Sequence, residues 1–107
     1  MYQEMRSEAL PHRTDVRWFH SETVTDATSA PLIIPAVGRD AVVAAMPGGS
    51  CRVEYTVSSY AAVSAGTAQW HQWPAGQVEQ DTADVVAGGV TALRFVSTGA
   101  STWEVAL

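Results

Sequence analysis

A chain of 107 residues, 47% hydrophobic and 16% charged, fits one domain around one core, and two domains would each be too small. The net charge of −5, with its arginines scattered, excludes the basic stripe that a phosphate backbone requires, so direct nucleic-acid binding is not expected. The longest apolar runs, such as 30–37, fall far short of the roughly 20 residues that span a bilayer, and the mixed segment 1–10 lacks the apolar stretch of a signal peptide; the expectation is a soluble protein that begins in a cytoplasm and avoids membranes.

Residues 1–12 show no convincing period and are expected to form an extended N-terminal arm ordered by a partner, with the folded domain occupying 13–107. From Thr14 to His20 the pattern alternates, with Val16, Trp18 and His20 on one side and Asp15, Arg17 and Phe19 on the other, which predicts a strand. The Ser/Thr-rich stretch 21–30 reads as a loop or a weak edge strand. Pro31 and Pro35 bracket Leu32–Ile34, which permits an edge strand and not a central one. Ala41–Met46 is a second apolar segment, closed by the turn residues Pro47, Gly48 and Gly49.

The clearest strand follows. Cys51, Val53, Tyr55 and Val57 alternate with Arg52, Glu54 and Thr56, the period-two signature of a half-buried strand. Residues 59–66 predict a short helical turn or a wide loop, 67–73 alternate again, and Pro74-Ala75-Gly76 forces a reversal. Residues 77–87 predict one strand or two short ones. Leu93 and Phe95, then a turn at Gly99, then Trp103, Val105 and Leu107 predict a terminal β-hairpin. Short strands about ten residues apart, with no long helical period, indicate an all-β fold: a small antiparallel β-sandwich or a jelly-roll-like barrel. Val42-Val43-Ala44 before Gly48-Gly49 is echoed by Val85-Val86-Ala87 before Gly88-Gly89, either by chance in a Val/Ala/Gly-rich chain or as two similar hairpin units.

No residue pattern points to catalysis, a metal or a cofactor. The histidines at 12, 20 and 71 lack zinc-ligand spacing; His71 with Glu79, Asp81 or Asp84 is the one combination able to converge, and a solvated acidic strand beside an ordinary histidine explains it as well. No serine sits in a nucleophile elbow and no glycine pair opens a helix. Cys51 is alone, so it forms no internal disulfide, and a buried inert thiol is expected. All six basic residues are arginine, which reflects either a GC-rich codon bias or a surface that tolerates interfaces. Trp70 and Trp73 stand three apart, so on a strand they point to opposite faces; one joins the core and the other meets solvent, a ligand or another subunit, unless a bend buries both. Trp70, Trp73, Arg6 and Arg13 are the candidate interface residues. An exposed tryptophan also offers a stacking platform for a sugar ring, which keeps a carbohydrate-binding module as an alternative.

The strand from Gly48 to Thr56, the segment from Ala65 to Gly76 and the ending Val90–Phe95 together resemble the small β-sandwich structural proteins of tailed bacteriophages. The resemblance covers a little over half of the chain and defines no site. It implies a non-enzymatic virion protein, made in the host cytoplasm, that packs against the major capsid protein or other virion proteins and forms a homo-oligomer, with a trimer favoured. Capsid decoration, in which the protein cements adjacent capsomers, is the preferred role; a neck or tail component is the second.

Overall fold

The computed structural model describes residues 2–11, 16–35 and 38–107. Its strands are β1 (Gln3–Glu4), β2 (Arg6–Ala9), β3 (Val16–Thr25), β4 (Leu32–Ile33), β5 (Ala41–Met46), β6 (Ser50–Thr56), β7 (His71–Gln72), β8 (Thr82–Val86), β9 (Ala92–Thr98) and β10 (Ala100–Ala106), with one helix, α1 (Tyr60–Ala65). They form two five-stranded sheets, sheet A in the order β1-β4-β9-β6-β7 and sheet B in the order β2-β3-β10-β5-β8. The fold is an all-β sandwich, as the strand spacing predicts. All pairings are antiparallel except the short parallel contact of β1 with β4.

Consecutive strands mostly lie in opposite sheets, and this corrects the expected terminal hairpin. β9 belongs to sheet A and β10 to sheet B, so the turn at Gly99 is an arch across the sandwich. The reason lies in the side chains: Phe95 and Trp103 are both fully buried, and their rings stack with centroids 5.2 Å apart and planes 5° apart. That contact joins one wall of the core to the other. Gly99 makes the crossing with φ of 75°, and its N–H donates to Asp26 Oδ1 at 2.7 Å.

The internal echo has the same explanation. β5 runs through Gly48-Gly49 into β6, and β8 through Gly88-Gly89 into β9; each unit leaves sheet B and enters sheet A, so these are arches and not hairpins. β5 pairs with β8 and β6 pairs with β9, which sets the two arches side by side over one core. A Cβ on Gly48 would collide with the carbonyl of Ala100, so glycine is required there by the close approach of two chain segments.

The N-terminal segment is the largest difference from expectation. Instead of standing out as an arm, residues 3–9 add an edge strand to each sheet, β1 beside β4 and β2 beside β3. Met5, at the crossing between the sheets, is 7% exposed and belongs to the core. One apolar residue between Glu4 and Arg6 is too short a pattern to register as a period, yet one buried methionine suffices to seat the crossing. Gln3 secures it, its Nε2 donating to Glu22 Oε1 at 2.6 Å and to the Ala30 carbonyl at 3.0 Å.

Other departures have local causes. β3 continues through Ser21–Thr25 as an inner strand between β2 and β10. Its serine and threonines face outward while Val24 is buried, and Thr23 Oγ1 meets Thr102 Oγ1 across the ladder at 2.8 Å. β4 is also paired on both sides, because its prolines fall outside the two-residue ladder and Pro31 still accepts from Gln3 N–H at 2.7 Å. Residues 59–66 form the short helix, started by Ser59 Oγ accepting from Ala62 N–H at 3.1 Å and ended by Gly66 in the left-handed region. Of the alternating stretch 67–73, only His71–Gln72 joins a ladder, against β6.

Candidate functional site

The two outer faces of the sandwich differ in chemistry. On sheet A, Glu54 and Arg94 are register partners pointing away from the core, opposite to Tyr55 and Leu93. Glu54 is only 8% exposed; its carboxylate accepts from Arg52 Nε at 2.9 Å and from Arg94 Nε at 2.6 Å. Burial by itself raises the pKa of this carboxyl, but the hydrogen bonds and charges of the two guanidinium groups outweigh it and hold the pKa below the ordinary glutamate value. The Arg94 guanidinium also lies over the Trp70 ring, 4.4 Å from its centroid. Arg52, Glu54 and Arg94 are thus partnered on the same face.

Sheet B presents a different surface. Strand alternation sends Val42, Ala44 and Met46 of β5 outward, beside Ala83 and Val85 of β8 on one flank and Thr102, Glu104 and Ala106 of β10 on the other. Ala106, Val42 and Val85 form one row across three strands; Glu104, Ala44 and Ala83 form the next. Val42 is 53% exposed and Val85 46%. Among the described residues, Glu104 is the only charged side chain at the outward positions of these three strands. Toward β3 the face dips into an open groove of about 380 Å³ bordered by Arg17 and Phe19. Arg17 pairs with Glu8 at 3.2 Å and lies 6.0 Å from the Phe19 centroid, giving the apolar surface a charged rim.

The candidate interface residues from the sequence scatter. Trp73 is 2% exposed and packed in the core, with its indole N–H donating to the Gly76 carbonyl at 2.7 Å, so it presents no surface. Trp70 is half-buried, with one ring face taken by Arg94, which leaves less of it for a sugar. Arg6 is exposed on β2, at the edge of sheet B. Arg13 lies outside the described residues, as does His12.

Sequence reasoning missed the sheet B face. Its signal was nevertheless present in Ala41–Met46, which is apolar at every position. A strand covered on one side only should alternate with polar residues, whereas an unbroken apolar run is the pattern of a strand covered on both. β5 has the core on one side and, among the described residues, no element packed on the other.

Cys51 is fully buried, and burial pushes its thiol pKa up, opposed by a hydrogen bond with Ser101. His71 packs against Tyr55 on sheet A, with ring centroids 5.6 Å apart, while Asp84 lies on β8 of sheet B. Among the described residues, no group of three His, Cys, Asp or Glu side chains is placed to hold a metal ion. Glu22 Oε1 gathers Gln3 Nε2 at 2.6 Å, Trp103 Nε1 at 2.9 Å and His20 Nε2 at 3.1 Å, a cluster that ties the N-terminal crossing to the core. No protein-family model matches this chain, and neither a curated protein nor a solved structure matches it significantly.

Proposed function

We propose that this chain is a non-catalytic assembly protein of a virion that docks the outer face of sheet B onto another virion protein, with the major capsid protein as the partner and decoration of the head as the role. The observation that carries the docking part is the uncovered row of Val42, Val85 and Ala106, beside Ala44 and Ala83, on a strand whose sequence is that of a strand covered on both faces. Its complement is a flat apolar protein surface carrying one basic group to meet Glu104, with polar contacts at the Glu8–Arg17 rim. The virion part rests on the resemblance of 48–56, 65–76 and 90–95 to phage sandwich proteins; a neck or tail position uses the same face on a different partner.

The test is co-sedimentation with capsids assembled without the protein, comparing wild type with Val42→Glu and Ala44→Glu. Both positions point to solvent, so circular dichroism should stay unchanged while bound occupancy falls at least tenfold. Folded variants that load onto capsids as wild type does would overturn the docking face. Removing residues 1–12 would be a poor test, since it deletes Met5 from the core.

A further inference from the structure

We infer that two copies of this chain join through β2, edge to edge, to make one continuous ten-stranded sheet about a two-fold axis at Ser7. The inference begins with the direction of the backbone groups. Leu107 N–H donates to the Trp18 carbonyl at 3.0 Å, so Trp18 spends its backbone groups on the β10 side of β3. Ser7, the register partner of Trp18, is therefore in a non-hydrogen-bonded pair, and its N–H and C=O point away from β3 to the open edge of sheet B. Arg6 and Glu8 turn theirs inward, to Phe19 and Arg17.

Charge then selects both the partner and the register. For the outer faces of two copies to remain on one side of a joined sheet, the axis must pass through a residue, because directly opposed residues share a face. An axis at Arg6 opposes arginine to arginine, and an axis at Glu8 opposes glutamate to glutamate. With the axis at Ser7, the outward backbone groups of Ser7 bond those of the second copy's Ser7. Arg6 of each copy then faces Glu8 of the other in the closer, non-hydrogen-bonded positions. β2 is thus self-complementary in one register and repelled in its neighbours.

The opposite edge of sheet B lacks this property. Val85 of β8 has its N–H taken by its neighbour's carboxylate, Asp84 Oδ1, at 2.7 Å. Pairing through β8 would have to break that bond beside Glu79 and Asp81, so the acidic edge is protected and the β2 edge is open. A four-residue edge buries less than the ~1,200 Å² of a standard stable interface, so the dimer forms in the micromolar to millimolar range. The dimer edge shares only Glu8, which also pairs with Arg17 in the charged rim, with the docking face; the Val42 row itself lies on the other side of β3.

Sedimentation equilibrium on the purified full chain, from about 10 µM to 1 mM, tests it. Wild type should show a reversible monomer–dimer equilibrium. Arg6→Glu alone and Glu8→Arg alone each turn both cross-strand pairs into like charges and should weaken the dimer about tenfold or more. Mixing the two variants restores opposite charges at both pairs and should restore dimerisation, a result that a dimer built elsewhere would not give. Ser7→Pro removes an N–H that, among the described residues, no strand of the same chain uses and should abolish the dimer with the circular dichroism spectrum retained. A wild-type monomer throughout the range, a trimer, or a dimer indifferent to these changes would overturn the inference.

Discussion

The outer faces of sheets A and B are built on strands of similar length and share one core, yet one is closed chemically and the other is not. On sheet A, Arg52, Glu54, Arg94 and Trp70 satisfy one another within the chain. On sheet B, Val42 and Val85 are left about half exposed, with no charged group at the outward positions of their own strands. A charged surface network is complete without a partner, whereas exposed apolar rows gain only when something covers them. The difference separates a face whose groups serve the fold from the face on which the proposed docking rests.

The strongest way to break this contrast is to remove the contact that makes the faces two sides of one body. Trp103→Ala deletes the ring stacked on Phe95 and the indole donor to Glu22, and thermal or urea unfolding should show a loss of about 3–5 kcal/mol. Next comes the sheet A network. Glu54→Gln leaves two guanidinium groups without their carboxylate and should cost about 1–3 kcal/mol, less than a fully buried pair because both arginines are about 30% exposed.

That substitution also sharpens the pH behaviour. The folded pKa of Glu54 lies below the ordinary glutamate value, so its carboxylate stabilises the fold fully above that ordinary value. The contribution fades as pH falls through the folded pKa. Urea titrations at a series of acidic pH values should show a steeper decline for wild type than for Glu54→Gln. Trp70→Ala, which removes only the ring under Arg94, should cost about 0.5–1 kcal/mol. Smallest of all, Val42→Thr keeps a β-branched residue at an open position and should change stability by no more than about 0.5 kcal/mol. A large loss there would mean that the sheet B face serves the fold after all.

Much of the sandwich was legible in the sequence, and the illegible parts share a cause. The alternation from Cys51 to Tyr55 assigned the side chains of β6 to the correct face, since apolar and polar residues differ sharply there; it failed at the strand's end, where Thr56 is fully buried and Val57 is 65% exposed. The same rule failed at Ser21–Thr25, where outward threonines look like loop residues, and at 3–9, where both edge strands show the solvent mostly polar groups. Periodicity also carries no information on which sheet receives a strand. Phe95 and Trp103 read equally well as hairpin neighbours or as opposite walls, and only their stacking decides. The apolar face of sheet B was hidden differently, because Val42 and Val43 look alike in sequence and only the register shows which is outside. The Trp70 and Trp73 pair did split between surface and core, and the surface member proved to be occupied by Arg94.

β10 is the central strand of sheet B although it is made after every other strand described. During synthesis β3 and β5 must wait, each with an unsatisfied ladder, until residues 100–106 arrive between them. Closure is therefore a late event that depends on contacts distant along the chain, the kind that folds slowly and leaves strand edges open to aggregation in the interval. A nascent chain halted before Ala100 would hold most of the core residues and no finished sheet B, so its production should depend on chaperones far more than the complete sandwich does.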